Sequence, residues 1–466
     1  MDHVLELVSP HTEELLAEVP EATSDQIDSA VTAARAAVDT GPWPLLAPPE
    51  RVAVIRRFLD AYKARGGEIA ELITAEIGAP ITFAQRAQVG LPTAMIGAFC
   101  ATAEAYPWQE IRPGFFGSDI HVRREPVGVV AAIVPWNMPQ FLTIAKVVPA
   151  LLAGCAVIVK PAPETSLDAD LLVRLLTEAG LPPGVLSVLP GGVAVGERLV
   201  GHPGIDKVSF TGSTAAGKAV AAACAANLTK VSLELGGKSA AIVLQDAAPA
   251  AVAAGVRSAS LSNSGQICNA LTRILVPADR QHEFVDALVA ELESITVGDP
   301  TDPATQMGPL VNRRQQQRVL DYIQIGQDEG ARLVTGGAGL PDGLERGYYV
   351  RPTLFADAHN SMRIAQEEIF GPVLTVIGYR DDAEAVALAN ESGYGLAGSV
   401  WTADADRGLA VAAQIKTGTF GVNQGYTMDP FAPFGGVKGS GYGRELGREG
   451  LEGYLDTKSI AVTSGV

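Results

Sequence analysis

The sequence predicts an α/β fold with two doubly wound α/β domains, each a largely parallel sheet with helices on both faces. Continuous apolar runs at 127–134 and 156–159 are typical of strands that are buried on both faces of a parallel sheet. Helical segments, in which apolar residues recur about every 3.6 positions, alternate with these runs. The alternation starts again after residues 234–238, which predicts a second domain of similar construction.

The predicted elements follow this pattern along the chain. The first hundred residues are predicted to be helical, with helices at 25–38, 50–64 and 67–77. The predicted strands of the first sheet are 127–134, 156–159, 185–189 and 207–210, with helices at 141–152, 167–179, 194–200 and 217–226. The predicted strands of the second sheet are 240–244, 273–276 and 373–379, with helices at 250–262, 281–292 and 313–329.

The composition limits the classes of protein to which the chain can belong. Its 466 residues are enough for two or three packed units, and 47% of them are hydrophobic. No apolar run reaches the ~18 residues that span a bilayer, and residues 1–20 are too acidic for a signal peptide. The formal net charge of −17 disfavours nucleic-acid binding. A cytoplasmic protein that binds neither membranes nor nucleic acids is therefore expected.

The segment from Phe210 to Gly217 leads from a predicted strand through a glycine turn into a predicted helix. Backbone amides at the start of such a helix are free to bind a phosphate, and the Ser213 hydroxyl would add a further donor. An ordinary helix cap has the same composition, so the segment alone leaves both interpretations open. The chain lacks the Gly-x-Gly-x-x-Gly fingerprint of the common dinucleotide-binding fold.

Cys268 is the cysteine with polar neighbours, which suits a nucleophilic thiolate. Cys100, Cys155 and Cys224 lie in apolar segments and suit a structural role. Four cysteines in a chain of this length do not indicate a disulfide framework, and no zinc-like spacing occurs, so no metal is expected.

Glu234 is a carboxylate inside an apolar, strand-like segment that ends in two glycines. Burial would raise its pKa and make it a general base near neutral pH. The alternative is an ion pair with Lys230 or Lys238, and the residue alone does not decide between the two.

Several short segments occur in an order and at separations that belong to one family. They are Pro135-Trp136-Asn137, Phe210-Thr211-Gly212-Ser213, Glu234 to Lys238, Gly265-Gln266-Ile267-Cys268, Glu367 to Pro372, Pro433 to Gly436 and Lys438 to Gly447. Together they closely resemble the aldehyde dehydrogenase superfamily, and the resemblance covers nearly the whole chain.

The resemblance implies a hydrolytic, NAD(P)-dependent aldehyde dehydrogenase. Cys268 would attack the aldehyde, and the Asn137 side chain with the Cys268 amide would hold the oxyanion. Glu234 would activate water to release a carboxylic acid, with Lys146 and Glu445 as a proton relay behind it. A coenzyme A-acylating relative, a thiol hydrolase and a non-enzymatic protein on this scaffold are the alternatives. Relatives that use coenzyme A usually lack the glutamate.

The resemblance also implies a cofactor site. Lys160 would bind the adenosine ribose, Ser213 the pyrophosphate and Glu368 the nicotinamide ribose. The other expected contacts are Pro135, Trp136, Glu164, Thr211, Gly212, Gly217, Leu235 and Phe370. Many relatives carry a glutamate three residues after the lysine, where this chain has Pro163 and then Glu164. Without that carboxylate nothing repels the 2′-phosphate of NADP, so NADP stays open as the alternative to NAD, the expected cofactor.

The positions that match the family's substrate tunnel are apolar, which predicts a hydrophobic aldehyde. They are Met138, Leu142, Ala145, Ile267 and Met428.

The resemblance also divides the chain into functional regions. Residues 1–104 and 126–236 would bind the cofactor, and 237–440 would form the catalytic domain. A hairpin at 105–125 and a C-terminal return at 441–466, with a strand at 457–462, would mediate a homodimer or homotetramer.

Overall fold

The computed structural model of the chain describes residues 3–426 and 428–463, so the ends of the predicted terminal regions lie outside it. The strands are β1 (Val4–Val8), β2 (Leu15–Pro20), β3 (Gln109–Pro113), β4 (Ser118–Pro126), β5 (Val129–Ile133), β6 (Ala156–Lys160), β7 (Leu186–Val188), β8 (Lys207–Thr211), β9 (Lys230–Glu234), β10 (Ala240–Val243), β11 (Arg273–Pro277), β12 (Arg332–Thr335), β13 (Thr353–Ala356), β14 (Val373–Tyr379), β15 (Gly398–Trp401), β16 (Gly421–Val422), β17 (Gly441–Tyr442) and β18 (Leu455–Thr463).

Each predicted α-helix is present close to its predicted range, and the structure contains further helices for which no range was predicted. The α-helices are α1 (Ser24–Asp39), α2 (Pro48–Ala64), α3 (Gly66–Ile77), α4 (Ile81–Phe83), α5 (Leu91–Ala105), α6 (Pro139–Ala153), α7 (Ser166–Glu178), α8 (Val193–Val200), α9 (Thr214–Asn227), α10 (Pro249–Ser260), α11 (Gln281–Glu293), α12 (Arg313–Asp328), α13 (Arg363–Gln366), α14 (Asp382–Asn390), α15 (Ala405–Ala412) and α16 (Gly447–Glu452). None of these helices has both the length and the apolar character needed to cross a membrane.

The first large sheet has the strand order β17-β9-β8-β5-β6-β7, and its strands are parallel except for β17. Successive residues of β5 face opposite sides, as the pleat requires. Val130 and Ala132 pack in the core formed with α2, α5 and α6. Val129 and Ala131 pack in the core that includes α1 and α8. The predicted doubly wound arrangement is confirmed for this sheet.

The second large sheet has the strand order β12-β13-β14-β11-β10-β15-β16, and β12 is its antiparallel strand. Ile242 packs against residues of α12 and α14, and its neighbour Val243 packs against residues of α10 and α11. This sheet is therefore also covered by helices on both faces.

The prediction of a helical N-terminal part is wrong for residues 4–20. There β1 and β2 pair as an antiparallel hairpin, and Glu13 in the turn adopts a positive φ of 61°. The predicted hairpin at 105–125 forms as β3 and β4, and the final strand β18 pairs with β4 along its whole length. This pairing lies within one chain.

Candidate active site

One large cavity lies at the carboxyl ends of the strands of the first sheet, where open α/β sheets bind their ligands. Its volume is about 1130 Å³. Loops that follow β5, β8 and β9 contribute the predicted residues on one side, and the segments around Cys268 and Glu368 close the other. The predicted site residues that line it together are Pro135, Trp136, Asn137, Leu142, Thr211, Gly212, Ser213, Glu234, Leu235, Cys268, Glu368 and Phe370.

Cys268 reaches the cavity because the backbone before it turns sharply. Asn263, Ser264 and Gly265 have positive φ values of 49°, 57° and 74°, a conformation that is costly for residues with side chains. All four cysteines are free thiols, and Cys268 alone among them is only partly buried. Burial of the sulfur, with contributions from the carboxylates of Glu368 and Glu234, raises the pKa of Cys268 to about 12. The thiol therefore has to give up its proton when the sulfur attacks a carbonyl carbon.

Glu234 is the last residue of β9, and only 4% of its surface is exposed. Neither carboxylate oxygen has a hydrogen-bond partner among the described residues. Burial raises the pKa of Glu234 well above its ordinary value, with a further contribution from Glu445. The alternative of an ion pair is contradicted, because Lys230 pairs with Asp456 and the buried Lys238 amine has no partner in the described part of the chain.

Lys146 and Glu445 lie behind Glu234 as a buried ion pair. The Lys146 ammonium also donates a hydrogen bond of 2.7 Å to the Thr211 hydroxyl. Lys146 comes from α6, Thr211 ends β8, and Glu445 follows β17. Three separate elements thus bring a fixed cation, a carboxylate and a hydroxyl to the base.

Asn137 follows β5, directly before α6, and its side chain is buried. Its amide nitrogen donates to the Gln266 carbonyl at 2.9 Å, two residues before Cys268. A side-chain amide has two N–H groups, so one remains for a ligand in the cavity. The predicted nucleophile, base and oxyanion donor are therefore brought together in one cavity.

Ser213 caps α9, and its hydroxyl accepts a hydrogen bond of 3.2 Å from the Ala216 amide. It therefore performs the ordinary capping role while its helix start faces the cavity. Gly217 allows a close contact, since a Cβ there would lie 2.5 Å from the Leu235 side chain. Leu235 lines the cavity, so Gly217 supports its wall from behind.

Glu368 and two aromatic residues form the opposite wall. The Glu368 carboxylate accepts a hydrogen bond of 3.1 Å from the Gly237 amide, and burial raises its pKa to about 7. A Cβ at Gly236 would clash with the same carboxylate. Trp136 and Phe370 make an edge-to-face contact with ring centroids 5.4 Å apart. This wall offers a carboxylate beside flat apolar surfaces.

Three predicted cofactor residues, Lys160, Glu164 and Gly217, are not in the cavity lining. Burial lowers the pKa of Lys160 to about 8, and Glu164 partly offsets this effect. The Glu164 carboxylate accepts a hydrogen bond of 2.9 Å from Asn312. It therefore links the start of α12 to the first sheet, a contact that the sequence did not indicate.

The predicted tunnel residues are grouped around α6. Met138, Leu142 and Ala145 are buried in one core cluster, and Met428 packs against it. Ile267 is half-buried beside the nucleophile. Leu142 is the member of this set that lines the large cavity.

The structure adds residues of α12 that sequence reasoning did not single out. Gln315 and Arg318 line the cavity. Gln315 donates to the Phe370 carbonyl at 2.7 Å, and Arg318 donates to the Glu368 carbonyl at 2.6 Å. Polar residues on a helix are usually a solvated face, so the sequence carried no signal for this role.

Known proteins resemble the chain over almost its whole length. The model of the "Aldehyde dehydrogenase family" matches residues 2–460. A geranial dehydrogenase from Castellaniella defragrans is 47% identical over 97% of this chain and 94% of its own. An aldehyde dehydrogenase from Mycobacterium tuberculosis, crystallised with NAD+, has a TM-score of 0.98 at 47% identity, covering 100% of this chain and 96% of that one.

A second solved structure includes an aldehyde. It is a cysteine-to-alanine variant of aldehyde dehydrogenase C from Pseudomonas syringae with NAD+ and octanal, at a TM-score of 0.96 and 42% identity, covering 100% of this chain and 94% of that one. These matches confirm the predicted fold and the predicted resemblance. The chain belongs to the aldehyde dehydrogenase family.

Proposed function

We propose that this protein oxidises an apolar aldehyde to the carboxylic acid with NAD+, through a thioester on Cys268. The observation that carries the proposal is the buried carboxylate of Glu234, which has no hydrogen-bond partner in the described part of the chain and lies in the same cavity as Cys268 and Asn137. A buried carboxylate without partners costs free energy, which a structural role does not repay. Such a base favours hydrolysis over transfer of the acyl group to coenzyme A, and it favours catalysis over a non-enzymatic role.

The cavity fits a dinucleotide in size and chemistry. Its volume of about 1130 Å³ exceeds that of most sites for single small ligands. The start of α9 with Ser213 would hold the pyrophosphate, and Glu368 would hold a ribose. Trp136 and Phe370 would enclose the nicotinamide. When bound, NAD+ supplies the hydride acceptor for the oxidation.

The protein's own groups account for formation of the covalent bond. The Cys268 sulfur bonds to the aldehyde carbon, and the carbonyl oxygen takes up the negative charge. The free N–H of Asn137 and the Cys268 amide would stabilise that charge, an effect of about 10²–10³ in rate for each donor. The thiol proton is transferred to the Glu234 carboxylate or to the new oxygen.

Hydrolysis of the thioester then depends on Glu234. Its carboxylate takes a proton from water, the water oxygen bonds to the acyl carbon, and the carbon–sulfur bond breaks. The reaction yields a carboxylic acid and regenerates the Cys268 thiol. Lys146 and Glu445 lie where they would pass the proton from Glu234 onward.

The apolar residues Met138, Leu142 and Ala145 support a hydrophobic substrate. Relatives named for geranial and phenylacetaldehyde are consistent with this class. NAD+ is the proposed cofactor, since the two solved structures described above contain NAD+.

We also propose a homo-oligomer in the cytoplasm. The sheet β3–β4–β18 exposes Ile111, Phe115 and Phe116, apolar surface of the kind that a partner subunit covers. The four free thiols suit a reducing compartment. The proposed regions are the predicted ones: cofactor binding at 1–104 and 126–236, catalysis at 237–440, and assembly at 105–125 and 441–466. Light scattering would give the subunit number.

The direct test is NADH or NADPH formation from short, long and aromatic aldehydes, with Cys268→Ala as the control. We expect NAD-dependent turnover that favours apolar aldehydes and is lost in Cys268→Ala. Folded, NAD-binding protein that reduces no cofactor with any aldehyde would overturn the proposal. Dependence on added coenzyme A would favour the acylating alternative.

A further inference from the structure

Beside the nucleophile, the side-chain amides of three residues donate to one another's main-chain carbonyls and form a closed ring of hydrogen bonds. Asn137 Nδ2 donates to the Gln266 carbonyl at 2.9 Å. Gln266 Nε2 donates to the Asn263 carbonyl at 3.1 Å, and Asn263 Nδ2 donates back to the Asn137 carbonyl at 2.8 Å. All three residues are buried. In such surroundings hydrogen bonds strengthen one another, so the ring fixes its members as a unit.

The ring joins two segments that are far apart in the sequence. Asn137 belongs to the loop after β5, whereas Asn263 and Gln266 belong to the turn that leads to Cys268. The Gln266 side-chain oxygen also accepts from the Val311 amide at 3.0 Å, which anchors the turn from outside. The ring therefore sets the position of the Asn137 amide relative to the Cys268 sulfur.

Gln88 contacts this ring from a third element. It lies in a π-helical turn, Ala84–Gly90, a rare conformation that is frequent at functional sites. Its Nε2 donates to the Asn137 carbonyl at 3.2 Å and contacts the Met138 sulfur at 3.1 Å. The side chain is fully buried, and its oxygen has no partner among the residues described.

We propose that Gln88, Asn263 and Gln266 are positioning residues that hold the Asn137 amide where the oxyanion forms on a substrate bound to Cys268. Gln88 and Asn263 share the Asn137 carbonyl as their acceptor, so the loop is held from two sides. A donor must point at the oxyanion with a tolerance below about 1 Å, since larger displacements cost up to ~10²-fold in rate. The inference rests on the proposed roles of Cys268 and Asn137.

Loss of a positioning residue affects the rate of acylation more than the binding of substrate or cofactor. The oxyanion develops in the transition state, so loss of a positioning residue lowers the rate of acylation more than it changes substrate binding. Cofactor affinity stays unchanged, because none of these three residues lines the cavity that fits NAD+.

The test is a double-mutant cycle between Gln88→Met and Asn137→Ala. Acylation of Cys268 by 4-nitrophenyl acetate without NAD+ is the first readout, because its tetrahedral intermediate needs the same donor but no cofactor. The rate of the first NADH turnover is the second. We expect Gln88→Met to slow both about tenfold when Asn137 is present, and less than about twofold when position 137 is alanine.

Gln140→Met is the matched control. Gln140 is also fully buried, and its side-chain oxygen also lacks a partner among the residues that the structure describes, but its Nε2 donates to Asp168 instead of to the ring. It should lose stability without the selective loss of acylation rate. Asn263→Asp is the second variant, because aspartate tolerates the left-handed backbone but cannot donate to the Asn137 carbonyl. It should reproduce the effect of Gln88→Met.

The positioning role would be overturned if Gln88→Met slowed acylation equally in the protein with Asn137 and in the protein with Asn137→Ala. It would also be overturned if the rate of acylation were unchanged in both Gln88→Met and Asn263→Asp. Either result leaves the proposed function intact, provided that the unaltered protein turns over aldehydes and Cys268→Ala does not. A protein without Cys268-dependent activity would instead contradict the proposed function itself.

Discussion

Lys146 and Glu445 are 299 residues apart in the sequence and form an ion pair in which both side chains are buried. The pair lies next to Glu234 and acts on it with opposite signs. Burial raises the pKa of Glu234, the Glu445 carboxylate raises it further, and the Lys146 ammonium lowers it. Without Glu445, Lys146 would therefore lower the pKa of Glu234 strongly. Without Lys146, Glu445 would raise it strongly.

We predict opposite pH shifts for Glu445→Gln and Lys146→Met. Glu445→Gln leaves the cation unopposed and lowers the pKa of Glu234, so hydrolysis of the thioester reaches its plateau at lower pH. Lys146→Met leaves the carboxylate unopposed and moves the plateau to higher pH. The rate of acyl-enzyme hydrolysis, measured from pH 5 to pH 10 in each variant, gives the two pH shifts. Shifts in the same direction would contradict the electrostatic account.

Gly217→Ala should weaken cofactor binding. The new Cβ would lie 2.5 Å from the Leu235 side chain and push it into the cavity. Overpacking of this kind costs about 1–3 kcal/mol, so the KM for NAD+ should rise about tenfold. Gly97→Ala in α5 is the matched control, because a Cβ there would have no described atom within 4 Å. It should raise stability by about 0.5–1 kcal/mol and leave the KM unchanged. An unchanged KM in Gly217→Ala would contradict the packing account.

Asp168 should make the protein less stable as the pH rises. Burial raises the pKa of Asp168 to about 7, and burial raises that of its neighbour Glu76 well above the usual range. In the folded state Asp168 keeps its proton between about pH 4 and pH 7, where the unfolded chain has lost it. Its stabilising contribution is thus present below pH 4 and is lost as the pH rises through 7.

Thermal unfolding of Asp168→Asn from pH 4 to pH 9 checks this. Asparagine preserves the acceptor for Gln140, which donates to Asp168 at 2.7 Å. Between pH 4 and pH 9, the free energy of unfolding should fall less in the variant than in the unaltered protein. The difference between the two falls should be on the order of 3 kcal/mol. If the melting temperatures of the variant and of the unaltered protein changed equally with pH, Asp168 would not bind the extra proton in the folded state.

Leu142→Phe should narrow the substrate site. Leu142 lies on α6 in the buried cluster that also contains Ala145, and it lines the large cavity. The larger ring would raise the KM for long and aromatic aldehydes about tenfold or more and change that for acetaldehyde little. Steady-state kinetics over a series of chain lengths measure this effect, with thermal unfolding as a check on packing. An equal change in KM for every aldehyde of the series would show that the substrate tunnel lies elsewhere.

The sequence predicted the strands best where both faces of the sheet are buried. The runs at 129–133 and 156–159 are apolar throughout because helices cover both sides of the sheet. The hairpin at 4–20 was missed because its short strands mix acidic and apolar residues. The two-residue strands β16 and β17 are too short to carry any periodic signal.

The site was predictable in part. The polar surroundings of Cys268 distinguished it from the buried cysteines, and the structure agrees. Glu234 has no partner within residues 3–426 and 428–463, which depends on three-dimensional packing, so the sequence left the choice between base and ion pair undecided. Lys146 and Glu445 were expected from the family resemblance alone, because no spacing relates residues so far apart. The amide ring also depends on backbone positions that the sequence does not reveal.

The most direct test of the central claim is a rapid-mixing experiment on Glu234→Gln with NAD+ and a hydrophobic aldehyde. Glutamine keeps the shape of the side chain but cannot accept a proton from water. We predict a burst of one NADH per subunit, after which turnover stops with the acyl group on Cys268, detectable by mass spectrometry of the intact protein. Continued turnover near the unaltered rate, or an acyl group on another residue, would contradict the assignment of Glu234 and Cys268.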